Sequence, residues 1–170
     1  NVNISEEKFE NGRKCVNVSV DRIEPLSSET LKIVVDIPEH SNVSLQSGVP
    51  TDFSLLGKIE GNLCVDVPEG NITVAKARGE TILLKSRNGS IKVPVCLEGN
   101  QEVVGTDVEG KRFMGDSIHI ESLGDKGIDI DAMYGGKYHL KAVKGPITLG
   151  HVQGKLFLQS FSGANVKSAS

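Results

Sequence analysis

Apolar residues in this chain come in pairs separated by a single residue, and the pairs recur at a nearly constant step. Val43/Leu45, Phe53/Leu55, Leu63/Val65, Ile72/Val74, Ile82/Leu84 and Ile91/Val93 form one series; Ile118/Ile120, Ile128/Ile130, Tyr138/Leu140, Ile147/Leu149 and Leu156/Leu158 form a second. The steps between first members are 10, 10, 9, 10 and 9, then 27, then 10, 10, 9 and 9. Residues two apart point to one side of a strand, so each pair reads as a short strand with two inward side chains. A fixed period of this kind marks stacked coils, in which each unit buries its apolar side against the next. The expected fold is all-β: a β-solenoid, that is a single-stranded β-helix or β-roll, with about two short strands in a coil of roughly nineteen residues. No window holds a 3.6-residue pattern, so almost no helix is expected.

Composition agrees with a thin core. Hydrophobic residues make up 38% of the 170 residues and charged residues 24%, which excludes disorder as the default and, by length, points to one domain. Aromatic residues are only 4%, with no Trp, so Ile, Val and Leu must build the interior, and these favour strands. The charges are interspersed and sum to −3; with no basic stripe, nucleic acid is not an expected partner. No apolar run approaches the length of a membrane span, and none is expected. Cys15, Cys64 and Cys96 are odd in number and widely spaced, which argues for reduced, packed thiols in an intracellular protein rather than a disulfide framework. N-x-[ST] triplets at Asn3, Asn17, Asn42, Asn71 and Asn88 would permit glycosylation in a secretory compartment, but turns and strands favour these residues anyway.

The first 37 residues follow a different pattern. Val16, Val18 and Val20 alternate, as do Leu31, Ile33, Val35 and Ile37, with turn-forming Pro25–Glu29 between them. Residues 1–37 are expected to be leading strands that cap one end of the stack, where a bare coil would expose apolar side chains and unpaired backbone groups. Residues 38–170 are expected to form the solenoid, the two parts making a single domain. Glycine punctuates it: Gly127, Gly136, Gly145, Gly154 and Gly163 are spaced nine apart. Glycine suits bends at positive φ and places where neighbouring coils approach closely. The step of 27 leaves residues 94–117 irregular. Because 27 equals three short units, the register can persist there through degenerate members, with Val103/Val104 and Phe113 filling the apolar rows. The alternative is an excursion from the stack, a common place for binding in repeat proteins.

The stretch Val35-Asp-Ile-Pro-Glu-His-Ser-Asn-Val-Ser-Leu45, followed by repeated Gly-x-Ile-x-Val strands, resembles the adhesin-like domain family of unknown function, a β-solenoid family. The resemblance runs from about Leu31 to Ser170 and is greatest to an animal member. It implies the fold, and an intracellular setting with the mitochondrion among the compartments it admits. It carries over no catalytic residues.

Chemistry has few places to sit. If two strands make a coil, the residues between the apolar ones point outward, and every second strand shares a face. His119, His139 and Phe157 are then expected in one outward column, with Asp129 and Thr148 on the other face. Adjacent strands lie about 4.8 Å apart, so two imidazoles meet and become candidate metal ligands if a third donor arrives, His151 being the nearest in sequence. Solvated surface histidines are the simpler expectation, and no metal or other cofactor is expected. Asp125, Asp129 and Asp131 lack the recurring Gly-Gly-x-Gly-x-Asp turns of a calcium roll, and Asp129 and Asp131 are expected to face water. Asp66, Asp107, Asp116 and Asp129 do not converge as a glycosidase or lyase site requires. Cys96 has no nearby base and reads as packing.

The expected role is therefore non-catalytic: a β-solenoid scaffold or protein-interaction module, with a protein partner or self-association through an open coil edge. A carbohydrate-active β-helix enzyme and a metal-binding protein using the His119/His139 column are the alternatives; the scarcity of aromatics for sugar stacking weighs against the first. The residues expected to form the core are Leu63, Val65, Ile72, Val74, Ile82, Leu84, Ile91, Val93, Ile118, Ile120, Ile128, Ile130, Ile147, Leu149, Leu156 and Leu158.

Overall fold

A β-strand with two inward aliphatic side chains has one way to bury them in a chain without helices: another such strand must stack beside it. The computed structural model describes the backbone of Val2–Lys8 and Lys14–Val20, and residues 37–170 in full. Among the described residues there is no helix, and the strands join into one continuous sheet that winds through about seven turns. The strands are β1 (Val2–Lys8), β2 (Lys14–Val20), β3 (Ser41–Ser47), β4 (Phe53–Glu60), β5 (Leu63–Glu69), β6 (Ile72–Asn88), β7 (Ile91–Val93), β8 (Cys96–Gly105), β9 (Val108–Ser122), β10 (Ile128–Ala142), β11 (Ile147–Ser160) and β12 (Ala164–Ala169).

Register divides every coil into three rows. In the first row Val43, Leu63, Ile82, Gln101, Ile118, Tyr138 and Leu156 are successive partners, all parallel. In the second row the partners are Phe53, Ile72, Ile91, Val108, Ile128, Ile147 and Ala164. These two rows are the expected pairs. A third row, shorter and not expected from the pair pattern, lies between them and contributes one inward residue per coil: Ile59, Ala77, Leu97, Phe113, Met133 and Val152, the last of which pairs with exposed Ala169. Bulges at Leu55/Lys58, Arg78/Thr81, Glu98/Gln101 and Tyr134/Lys137 let the chain bend around this side without breaking the ladder. First-row partners such as Leu63 and Ile82 differ by 19 residues, so the coil length matches the sequence period.

The core fills as expected except at its end. Leu63, Val65, Ile72, Val74, Ile82, Leu84, Ile91, Val93, Ile118, Ile120, Ile128, Ile130, Ile147 and Leu149 are each 1% exposed or less. Leu156 and Leu158 depart from the expectation: Leu156 is half-buried and Leu158 is 37% exposed. The reason is local, because β12 pairs with Ile147–Val152 of β11 only, and the segment 155–160 has a neighbouring strand, β10, on one side.

Residues 94–117, irregular in the pair pattern, keep the register as a coil with degenerate members and do not leave the stack. Leu97, Val103, Val108 and Phe113 are buried in the three rows, whereas Val104 is half-buried on the outward side. The pair pattern lapses because Gln101 replaces an aliphatic residue and Gly110 another. Gln101 is 4% exposed, and its Nε2 donates to the carbonyl oxygens of Leu97 (3.1 Å), Gly99 (3.2 Å) and Met114 (2.8 Å), so its amide tethers the bulge to the next coil.

Corners are built from glycine and asparagine. Gly61, Gly79, Gly99, Gly115, Gly135 and Gly154 stack at the corner between the third and first rows, and a Cβ on any of the last five would run into the carbonyl oxygen of the glycine one coil earlier. Gly99, at φ +137°, also adopts a conformation that other residues rarely hold. The glycines spaced nine apart alternate between this corner and the one after the first row. Asparagine side chains cap the coils in register: the Asn62 N–H donates to Asn42 Oδ1 (2.8 Å), and the Thr81 N–H to Asn62 Oδ1 (3.0 Å). At the other end of the first row, the Ser90 N–H (3.1 Å) and Oγ (2.8 Å) donate to Asn71 Oδ1.

At the beginning of the stack β1 and β2 form an antiparallel hairpin, and β2 adds in parallel to β3, with Val16 opposite Val43 and Val18 opposite Leu45. The expected strand over residues 31–37 and the turn at 25–29 lie outside the described residues, apart from Ile37, which packs partly against the core.

Candidate functional site

The outward side of the first row carries the most distinctive column of side chains. Burial of Ile118, Ile120, Tyr138 and Leu140 forces the residues between them outward. Glu102, His119, His139 and Phe157 are register partners on four successive coils. The ring centroids of His119 and His139 lie 6.5 Å apart with planes tilted by 39°, and those of His139 and Phe157 lie 4.8 Å apart with planes within 7° of parallel. The expected His119–His139–Phe157 column is present, and Glu102 extends it. On the second row Asp129 and Thr148 are partners, also as expected, and both Asp129 and Asp131 are exposed.

His151 does not join the pair. It stands on the third row beside Tyr134, at 5.6 Å between ring centroids, with Nδ1 3.3 Å from Ser168 Oγ. Glu102 is held by Lys85 Nζ at 2.7 Å. Among the described residues no group of three or more His, Cys, Asp or Glu is arranged around a common point that would suit a metal ion. His119 and His139 alone fall short of the four donors that a structural zinc site needs.

Ion pairs run along the stack on all three rows. Lys141 Nζ reaches Glu121 Oε1 (2.6 Å), Lys92 reaches Glu109 (3.1 Å), and Arg78 Nε reaches Glu98 (3.1 Å). Each joins adjacent coils; exposed pairs of this kind are individually weak. A shallow cleft of about 360 Å³ opens at the corner between the third and first rows, lined by His40, Glu60, Asn62, Arg78, Glu80 and two backbone glycines. Beside it Lys58 Nζ contacts Glu39 (2.6 Å) and Glu60 (2.5 Å), and His40 Nδ1 lies 3.2 Å from Glu60. The hydrogen bonds from Lys58 to Glu39 and Glu60 raise the lysine pKa and lower that of Glu60, as in a solvated ion cluster.

The thiols are suited to packing. Cys96 is buried, with Sγ 3.6 Å from the Leu97 carbonyl oxygen, and burial pushes its pKa up. Cys64 is half-buried; desolvation, and then the Asp66 carboxylate, raise its pKa as well. A raised pKa disfavours the nucleophilic thiolate. The side chain of Cys15 lies outside the described residues. Asp66, Asp107, Asp116 and Asp129 occupy different rows and corners. Asp66 faces outward on the first row beside Lys85, and Asp107 sits in the turn after the first row, accepting the Lys126 N–H at 3.0 Å. Asp129 stands on the second row, and Asp116 at the glycine corner.

Sequence reasoning missed Gln101 and Glu102, one a polar residue buried in the core and the other the acidic end of the histidine column. Counting one coil back from Ile118 and His119 finds both. No protein-family model, curated protein or solved structure matches the chain.

Proposed function

We propose that the chain is a non-catalytic β-solenoid scaffold that associates with a second copy of itself along the edge of its last described coil. The observation that supports this reading is the segment 155–160, which has a strand on one side only and leaves Leu158 37% exposed beside half-buried Leu156. A row of unpaired N–H and C=O groups is a template for another strand. This segment carries one charge, Lys155, and no proline, so it lacks the features that commonly protect an edge. Two copies related by a two-fold axis pair antiparallel, which places Leu156 opposite Leu158 of the other copy and Lys155 opposite Gln159. The apolar rows then meet, and no like charges are opposed. The scatter of the acidic side chains over separate rows also favours a scaffold over a hydrolase.

Light scattering on the eluting chain tests the reading. The expected mass is twice 18.2 kDa, falling to that of one chain in Leu158→Lys. A single-chain mass for the unaltered protein at every concentration overturns it. The intracellular setting implied by the resemblance belongs to the same proposal, and proximity labelling in cells reports compartment and neighbours together.

A further inference from the structure

The acidic and basic residues are segregated along the chain. The last carboxylate side chain is Asp131; residues 132–170 contain Lys137, Lys141, Lys144, Lys155 and Lys167 and no Asp or Glu. Because the whole chain sums to −3 and this stretch to +5, residues 1–131 carry −8. The fold places three of these lysines, Lys137, Lys141 and Lys155, on the outward side of the first row, with Lys144 in the turn that follows it. On the first row of the last two coils Lys137 is opposite Lys155, His139 opposite Phe157, and Lys141 opposite Gln159. All six alternate with the inward Tyr138, Leu140, Leu156 and Leu158, so they point outward together. Like charges directly opposite each other weaken a sheet, and Lys137 and Lys155 are placed that way. Among the described residues Lys137, Lys144 and Lys155 have no ion-pair partner, whereas Lys141 is paired with Glu121, which marks the boundary of the basic zone.

Aromatic rings stand among these lysines. Phe157 is 53% exposed and stacked on His139, and Phe161 is 77% exposed at the tip of the turn that follows. That turn is fastened to the coil before it: Ser162 Oγ donates to the Lys144 carbonyl oxygen, and Ser160 Oγ donates to the Gly163 carbonyl oxygen at 2.9 Å. Phe161 is thus presented on a tethered turn rather than folded back onto the core.

We infer that this face, formed by Lys137, Lys144, Lys155, Phe157 and Phe161, docks on the surface of a bilayer containing anionic lipid. The lysines match the negative headgroups, and the two phenyl rings enter the boundary between headgroups and acyl chains. A soluble polyanion satisfies the lysines but gives the exposed rings no apolar phase, which is why the lipid surface fits better. The docking face is distinct from the edge proposed above for self-association, because its side chains point outward and remain on the surface when another strand adds to the segment 155–160.

Co-sedimentation with vesicles tests the inference. The chain is expected to sediment with phosphatidylcholine vesicles that contain phosphatidylserine, to stay in solution with phosphatidylcholine alone, and to be released by high salt. Lys155→Ala is expected to weaken partitioning about fivefold, the equivalent of one lysine near an anionic surface. Phe161→Ala is expected to weaken it about tenfold through lost apolar burial. The chain has no Trp, so Phe161→Trp introduces a single reporter whose emission shifts to the blue on phosphatidylserine vesicles. Leu158→Lys, which removes self-association, does not weaken vesicle binding, so failure of one proposal is separable from failure of the other. Equal sedimentation with both vesicle types, or no sedimentation with either, overturns the inference. So does binding to heparin that is as tight as to vesicles and indifferent to Phe161→Ala, which would identify a soluble polyanion as the ligand.

Discussion

The ring of Phe113 occupies the volume that a side chain on Gly110 would need: a Cβ built on Gly110 comes within 2.9 Å of Phe113 Cζ, and Cε2 is closer still. In other coils the second-row position of Gly110 holds Val74, Val93, Ile130 or Leu149, and the third-row position of Phe113 holds Ala77, Leu97, Met133 or Val152. The fourth coil has shifted volume from one row to the next while keeping the core filled. Gly110→Val alone overpacks the coil, and Phe113→Leu alone leaves a void, each costing about 1–3 kcal/mol. The double substitution is expected to recover at least about 1 kcal/mol relative to the sum of the two, since neighbours that share a space do not add. Denaturant melts of the four proteins measure this coupling, and strict additivity would show that the rows pack independently.

Stacked glycines make a sharper contrast. A Cβ on Gly79 would overlap the backbone carbonyl of Gly61, whereas a Cβ on Gly57 meets nothing within 4 Å. Neither residue has a positive φ, so contact alone separates them. Gly79→Ala is expected to cost about 1–3 kcal/mol because backbone must move to admit it. Gly57→Ala is expected to be neutral or slightly stabilising through the reduced freedom of the unfolded chain. Thermal unfolding of the two variants checks the corner geometry; similar melting temperatures would contradict it.

Inward and outward positions one residue apart should respond very unequally to charge. Ile147 is fully buried, and Asp in its place puts an unpaired carboxylate into a dry core, with an expected loss of more than about 3 kcal/mol. Thr148 faces outward, opposite Asp129, so Thr148→Asp adds a like-charge pair at the surface. Its expected cost is below about 1 kcal/mol and shrinks with added salt. Equal melts for the two variants would reverse the assignment of faces.

Tyr138 links the core to alkaline pH. Its ring is buried in the first row, and its hydroxyl donates to the Gln153 carbonyl oxygen at 2.6 Å. Burial raises its pKa above the ordinary value of 10.0. The folded state then holds the proton more tightly than the unfolded chain, so the contribution is intact below pH 10 and is lost as pH rises from there through the folded value. Tyr138→Phe is expected to lose about 1 kcal/mol at neutral pH from the missing hydrogen bond. The gap between the two proteins should close above pH 10, where the unaltered chain alone is penalised. Urea melts across that range follow it, and a constant gap would mean that the hydroxyl is not held in the core.

How much could be read from the sequence differs from row to row. The first and second rows were legible because each contributes an i, i+2 pair, the smallest pattern that alternation can produce. The third row was not, since Ala77, Leu97 and Met133 contribute one inward residue each, three or four positions after the preceding pair and across a bend. The fourth coil looked irregular because Gln101 and Gly110 interrupt the aliphatic pattern, although the Nε2 of the first donates to three carbonyls while its buried Oε1 has no partner among the described residues, and the second is compensated by Phe113. The His119–His139–Phe157 column followed from counting outward positions. Its isolation from His151 did not, because that depends on which side of the coil the third row occupies.

The sequence alone determined that the chain winds into a stack, and which face of each main strand is dry. Inward pairs at a fixed interval can be buried only by copies of themselves. The tertiary structure alone decided where the coil bends, which neighbours compensate an odd residue, and that Leu158 at the last rung is left partly in water. Such outcomes rest on contacts between residues a full coil apart, where a bulge of one residue redirects a side chain without leaving any mark in the local pattern.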